Sequence, residues 1–121
     1  MAGLAIAVIG QGAPDRGPAV DAAERVGRGL AEAGATVVTG GLGGVMAAAS
    51  RGARSAGGRV VAVLPGLDRS AANPYADTVV CTGIGEARDL AVVASGDAVI
   101  AVGGAWGRWP RSPWHARSGG P

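Results

Sequence analysis

Apolar residues fall into two alternating rhythms along the chain. Leu4 to Ile9 is short and almost wholly apolar, and Gly10 halts it, as expected of a strand buried on both faces of a parallel sheet. From Pro18 to Ala33 the apolar positions change period: Val20, Ala23, Val26, Leu30 and Ala33 recur at helical spacing. Asp21 and Glu24 lie in the early turns and Gly34 marks the stop, so this segment predicts the first helix.

The alternation then repeats. Thr36 to Val38 is a β-branched strand that runs into Thr39-Gly40-Gly41-Leu42-Gly43-Gly44, and Val45 to Ala56 reads as an alanine-rich helix closed by Gly57-Gly58. Arg59 to Leu64 predicts a third strand, stopped by Pro65-Gly66, and Leu67 to Ala76 a polar loop containing Asn73-Pro74. A short strand near Thr78 to Cys81, a helix over Gly83 to Ser95 and a fifth strand over Asp97 to Val102 complete the series. Strands alternating with helices through short connections imply parallel strands joined by right-handed crossovers. The expected fold is α/β, a doubly wound Rossmann-like parallel sheet in three layers.

Composition narrows this picture. The 121 residues suffice for one core, and the 48% apolar share is carried by Ala, Val, Ile and Leu with no Phe, which suits closely packed layers. No apolar run approaches the roughly 18 to 20 residues of a membrane helix, because Gly10 ends the first and Asp97 interrupts the last. The start lacks a basic leader, so a cytoplasmic protein with no membrane partner is expected. Cys81 is the single cysteine, which excludes an internal disulfide and a cysteine-cluster metal site, and no metal is expected.

Charge at first suggests nucleic acid, with a net +2 and a pI near 9.5. Placing the charges removes the suggestion: Arg108, Arg111 and Arg117 lie in residues 108–121 with no acid beside them. Residues 1–107 are left with eight arginines against nine acids. A nucleic-acid partner is not expected.

The candidate chemistry lies in the glycine loops. In doubly wound sheets ligands sit beyond the carboxyl ends of the strands, where helix N-termini offer unpaired N–H groups and partial positive charge. Gly10-Gln11-Gly12 is only a GxG, with Asp15 where a dinucleotide fingerprint wants its third glycine, and the second strand ends in Thr39-Gly40 rather than an acid, so NAD is disfavoured. Gly40, Gly41, Gly43 and Gly44 at a strand-to-helix junction let backbone amides approach an anion without Cβ interference. Gly103, Gly104 and Gly107 repeat the device after the fifth strand, where Trp106 could stack on a base or fill a core gap. These features predict a phosphate-bearing small ligand. Arg88 is a cation near a helix N-terminus, where it opposes the helix dipole by about 0.3–1 kcal/mol. Two readings stand for it: an anionic ligand, or ion pairing with Glu86 or Asp89.

Ala5-Val8-Ile9-Gly10, Thr39 to Met46, Gly57-Gly58-Arg59 with Val63-Leu64-Pro65-Gly66, and Gly85-Glu86-Ala87-Arg88 together resemble the LOG family, long mislabelled lysine decarboxylase-like. Asp68 to Tyr75 and the Gly104 to Gly107 loop are most similar to its branch with the molybdenum-cofactor carrier proteins, and the resemblance covers residues 4–107. It implies a homodimer and, in the carrier members, a phosphorylated pterin, so the molybdenum cofactor is implied as a carried ligand. In the family's enzymes it implies release of a base from a nucleoside 5′-monophosphate by N-glycosidic hydrolysis, with Arg88 matching the catalytic arginine. Gly103 to Gly107 matches the front of the enzymes' P-G-G-x-G-T-x-x-E motif, but Arg108 stands at the threonine and Arg111 at the glutamate. Hydrolytic activity is therefore not expected.

Residues 108–121 hold two of the three Trp, the single His and three of the seven Pro, with no helical or strand period. The expectation is an aberrant, disordered tail following a change of reading frame after Gly107, with the C-terminal strand and helix of the fold missing. Read one base earlier, the Trp109–Pro110 and Trp114–His115 junctions must both encode alanine, and permitted codons restore threonine at 108 and glutamate at 111.

Overall fold

The computed structural model describes residues 3–103. The expectations for Gly104, Trp106, Gly107 and residues 108–121 lie outside the described residues. Five strands form one wholly parallel sheet in the order β4-β3-β2-β1-β5, with β1 at Ala5–Ile9, β2 at Thr36–Thr39, β3 at Val60–Leu64, β4 at Thr78–Cys81 and β5 at Ala98–Ala101. Helices α1 (Pro18–Glu32), α2 (Val45–Ser55) and α3 (Arg88–Ser95) flank it. Strand order reverses at β1, which pairs with β2 on one side and β5 on the other.

Period-two alternation divides the core. Ile6, Val8, Val37 and Val60 join Val20, Ala23, Leu30, Val45 and Ala49 under α1 and α2. Ala7, Ile9, Val38 and Val63 point the other way and pack with Val92 of α3. The central strands β1, β2 and β3 are thus covered on both faces, whereas Val80 and Val99 on the edge strands β4 and β5 are exposed.

The two longer helices approach so closely that their backbones meet. A Cβ at Gly27 would overlap the carbonyl oxygen of Ala49, and one at Gly52 would overlap that of Glu24. Beside this contact Arg51 Nη2 lies 3.1 Å from Glu24 Oε1.

Most element bounds match the expectation within a residue, but the helix expected over Gly83 to Ser95 does not begin at Gly83. A 3₁₀ turn occupies Gly85–Ala87 and the α-helix starts at Arg88. Gly83 and Gly85 have φ of +69° and +66°, outside the helical region, so the chain turns twice before α3. The loop after β3 also contains a 3₁₀ turn, Arg69–Ala71, capped by the Asp68 carboxylate, which accepts from the Ser70 N–H. Among the described residues no helix is long and apolar enough to cross a membrane.

Candidate functional site

Reversal of strand order at β1 leaves a crevice beyond the carboxyl ends of β1, β2 and β5, because the chain crosses from β1 to β2 on one side while β5, reached from β4, lies on the other. A cleft of about 360 Å³ lies there. The loop after β1 gives it Gly10, Gln11, Gly12 and Ala13; the β2–α2 junction gives Gly40, Leu42 and Met46. Glu86, Arg88, Asp89 and Val92 form the α3 wall, and Ala101, Val102 and Gly103 close the β5 side. Gly10, Gly12, Gly40, Gly103 and Arg88, all singled out in the sequence, therefore come together.

Gly41, Gly43 and Gly44 do not line this cleft. Gly41 turns inward at φ +81°, where a Cβ would lie 2.7 Å from Leu64 Cδ2 and 2.9 Å from Ala62 Cβ, so its glycine is required by the sheet beneath it. Gly44 is the N-cap of α2, but its N–H donates to Asp15 Oδ1 at 2.8 Å. The next N–H, that of Val45, donates to the Gln11 carbonyl at 2.9 Å. The first two donors of this helix end are thus taken by the loop after β1, and a carboxylate of the chain itself sits at the positive helix end. The N–H groups of Leu42, Gly43, Met46 and Ala47 have no acceptor among the described residues.

Asn73 holds the other side of the glycine loop. Its backbone N–H donates to Gly41 O at 2.8 Å and its Nδ2 to Leu42 O at 3.1 Å. In a trans peptide the C=O and N–H point in opposite directions. Tying down these two carbonyls therefore aims the N–H groups of Leu42 and Gly43 away from Asn73.

Arg88 is 3% exposed and binds several elements at once. Nε donates to Val63 O at 3.1 Å and Nη2 to Gly40 O at 3.4 Å, which joins the ends of β3 and β2 to the start of α3. Nη1 contacts Asp89 Oδ1 and lies 3.6 Å from Glu86 Oε2, while Nη2 also approaches Met46 Sδ at 3.9 Å. A methyl group at Gly40 would fall 2.9 Å from Nη2, so only glycine leaves room for the guanidinium. The ion pairing weighed in the sequence is present with both acids.

Burial pushes the Asp89 carboxyl above its ordinary range, and repulsion from Glu86 adds to this, against the attraction of the Arg88 guanidinium. Among the described residues no cluster of His, Cys, Asp and Glu could hold a metal ion.

Asp15, Gln11 and Asn73 escape a motif-based reading. Asp15 registers there only as a departure from a dinucleotide fingerprint, and Asn73 only as half of a turn-forming Asn-Pro pair. Their roles are long-range, across 29 and 31 residues respectively.

The SLOG cluster4 family model matches residues 3–109. The chain belongs to the SLOG cluster4 family. It is 45% identical over 104 residues to an uncharacterized protein of Archaeoglobus fulgidus, covering 86% of this chain and 68% of that one. Among solved structures it resembles the molybdenum cofactor binding protein of the phototrophic bacterium Rippkaea orientalis, with TM-score 0.82 and 34% identity. It also resembles the molybdenum cofactor carrier protein of Chlamydomonas reinhardtii, with TM-score 0.77 and 36% identity. Each match covers 86% of this chain but only 64% of the other, so the chain spans less than two thirds of these structural relatives. The LOG-type fold and the likeness to cofactor carriers implied by the motifs are both found.

Proposed function

We propose that the cleft holds a phosphate-bearing small ligand of the molybdenum-cofactor type and that the chain serves as its carrier, in the cytoplasm and as a homodimer. The observation that carries this reading is the cleft at the strand-order reversal, walled by the loops after β1, β2 and β5. Its volume lies within the usual range for small-molecule sites. The likeness to two cofactor-binding structures supports the ligand class.

The donor groups fit an anion. Leu42 and Met46, which line the cleft, offer backbone N–H groups at the start of α2, and no side chain need be charged for a phosphate to be held there. Arg88 supports the site from beneath, by holding the ends of β2 and β3 in place. In this reading phosphate contacts come from the backbone and the ring lies against Ile9, Met46 and Val92. The cofactor's metal is cargo and needs no ligand from the cleft.

Titration of the full chain with molybdopterin, followed by calorimetry and thermal shift, tests the reading. Saturable one-to-one binding with a rise in Tm is expected. Failure to bind molybdopterin, with the chain folded by circular dichroism, would sink it.

A further inference from the structure

Among the described residues Arg88 is the single cation of the cleft wall, yet each of its three guanidinium nitrogens already faces a protein acceptor. What the α3 wall offers to a ligand is therefore acceptors. Asp89 uses Oδ1 on Arg88, and its Oδ2 has no donor among the described residues. Glu86, one turn earlier, has a side chain 80% exposed that is drawn only loosely toward Arg88. An ionised carboxylate accepts hydrogen bonds and donates none, and it pairs best with two parallel N–H groups. Beside these acceptors Ile9, Met46 and Val92 give apolar walls against which a flat ring can lie.

From this arrangement we propose that Asp89, assisted by Glu86, selects the ring of the ligand. The ring would present adjacent N–H donors, as in the 2-amino-4-oxo pyrimidine edge shared by pterins and guanine. The proposal rests on the ligand-binding reading above and adds the identity of the edge recognised. Adenine would be disfavoured, because its edge places a ring-nitrogen lone pair against the carboxylate. Selection then comes as much from this repulsion as from the favourable pair.

The experiment measures Kd for guanosine 5′-monophosphate, adenosine 5′-monophosphate and 6-hydroxymethylpterin on the full chain, on Asp89→Asn and on Glu86→Gln. The two nucleotides carry the same sugar and phosphate, so their ratio reports the ring alone. Wild type is expected to favour the guanine nucleotide at least about tenfold, a single good bidentate contact. Asp89→Asn should bring that ratio toward one, and the exposed Glu86→Gln should lower it partway with no loss of fold. The pterin should bind wild type and weaken on Asp89→Asn, which separates a pterin from a guanine source by its affinity relative to the nucleotide. Equal affinity for both nucleotides, or a ratio untouched by Asp89→Asn in a variant with native circular dichroism, overturns the proposal while leaving a phosphate cleft standing. Absence of binding by all three, together with failure to bind molybdopterin, overturns the functional reading itself.

Discussion

The carboxylate of Asp15 accepts a hydrogen bond from the Gly44 N–H at 2.8 Å, so the loop after β1 is anchored to the N-terminus of α2. One wall of the cleft is thereby held against another by a charge placed at the positive end of a helix dipole. Asp15→Ala is expected to lower stability by about 0.5–2 kcal/mol, the range for losing a helix cap. Chemical denaturation would check this. Asp15→Asn should recover part of the loss, since its amide oxygen can still accept; equal destabilisation by both would show that the hydrogen bond is not what matters.

The α1–α2 contact separates packing from charge. Gly27→Ala forces a methyl into the Ala49 carbonyl and should cost about 1–3 kcal/mol, as overpacking does. Glu24→Gln removes only a half-exposed ion pair and should cost less than about 1 kcal/mol. Paired urea melts measure both. The hydrogen bond from Arg51 holds the Glu24 carboxyl below its ordinary range. Its small contribution is therefore full above the ordinary glutamate range and is lost as pH falls through the lowered value.

Asn73→Ala removes the donor to Leu42 O but leaves the backbone bond from residue 73 to Gly41 O. The peptide carrying the Gly43 N–H is then released while its neighbour stays fixed. Affinity for inorganic phosphate or a nucleoside monophosphate is expected to fall several-fold, with a fall in Tm of only a few degrees. Calorimetry on wild type and variant decides this, and unchanged affinity would remove Asn73 from the positioning of the loop.

Asp89 predicts a pH dependence of known sign. Its folded carboxyl titrates above the ordinary aspartate range, so the folded state binds more protons there than the unfolded one. Its contribution to stability should decline as pH rises from the ordinary aspartate value through the raised one, and level off above. Binding of guanosine 5′-monophosphate should move oppositely, strengthening with pH across that window as the carboxylate forms beside Glu86 and Arg88. Asp89→Asn should flatten both profiles; a wild-type profile that survives in the variant assigns the titration elsewhere.

Much of the fold was readable because its signals are local. Six apolar residues ending at Gly10 announce β1, and the spacing of Val20, Ala23 and Leu30 announces α1. That Gly10, Gly12, Gly40 and Gly103 line one cleft was readable because strand ends in a parallel sheet converge by topology. Gly44 was harder: no local pattern reveals that its N–H donates to the carboxylate of Asp15, 29 residues earlier. Arg88 illustrates the same limit, since its partners Val63 and Gly40 are 25 and 48 residues away. A charge beside a helix start could be recognised as unusual from sequence, but its partners follow only from the packed sheet.

The pairing of β1 with β5 has a consequence for the order of assembly. Ala5 and Asp97 exchange hydrogen bonds across 92 residues, whereas β1 to β4 join through successive short crossovers. Closing so long a loop is entropically dearer and should come late, with the β4-β3-β2-β1 segment zipping first. The cleft straddles this last seam, having one wall on each side of it. A bound ligand would then act as a rivet across the seam, and hydrogen exchange should show β5 amides slowing more than those of β3 when the cleft is filled.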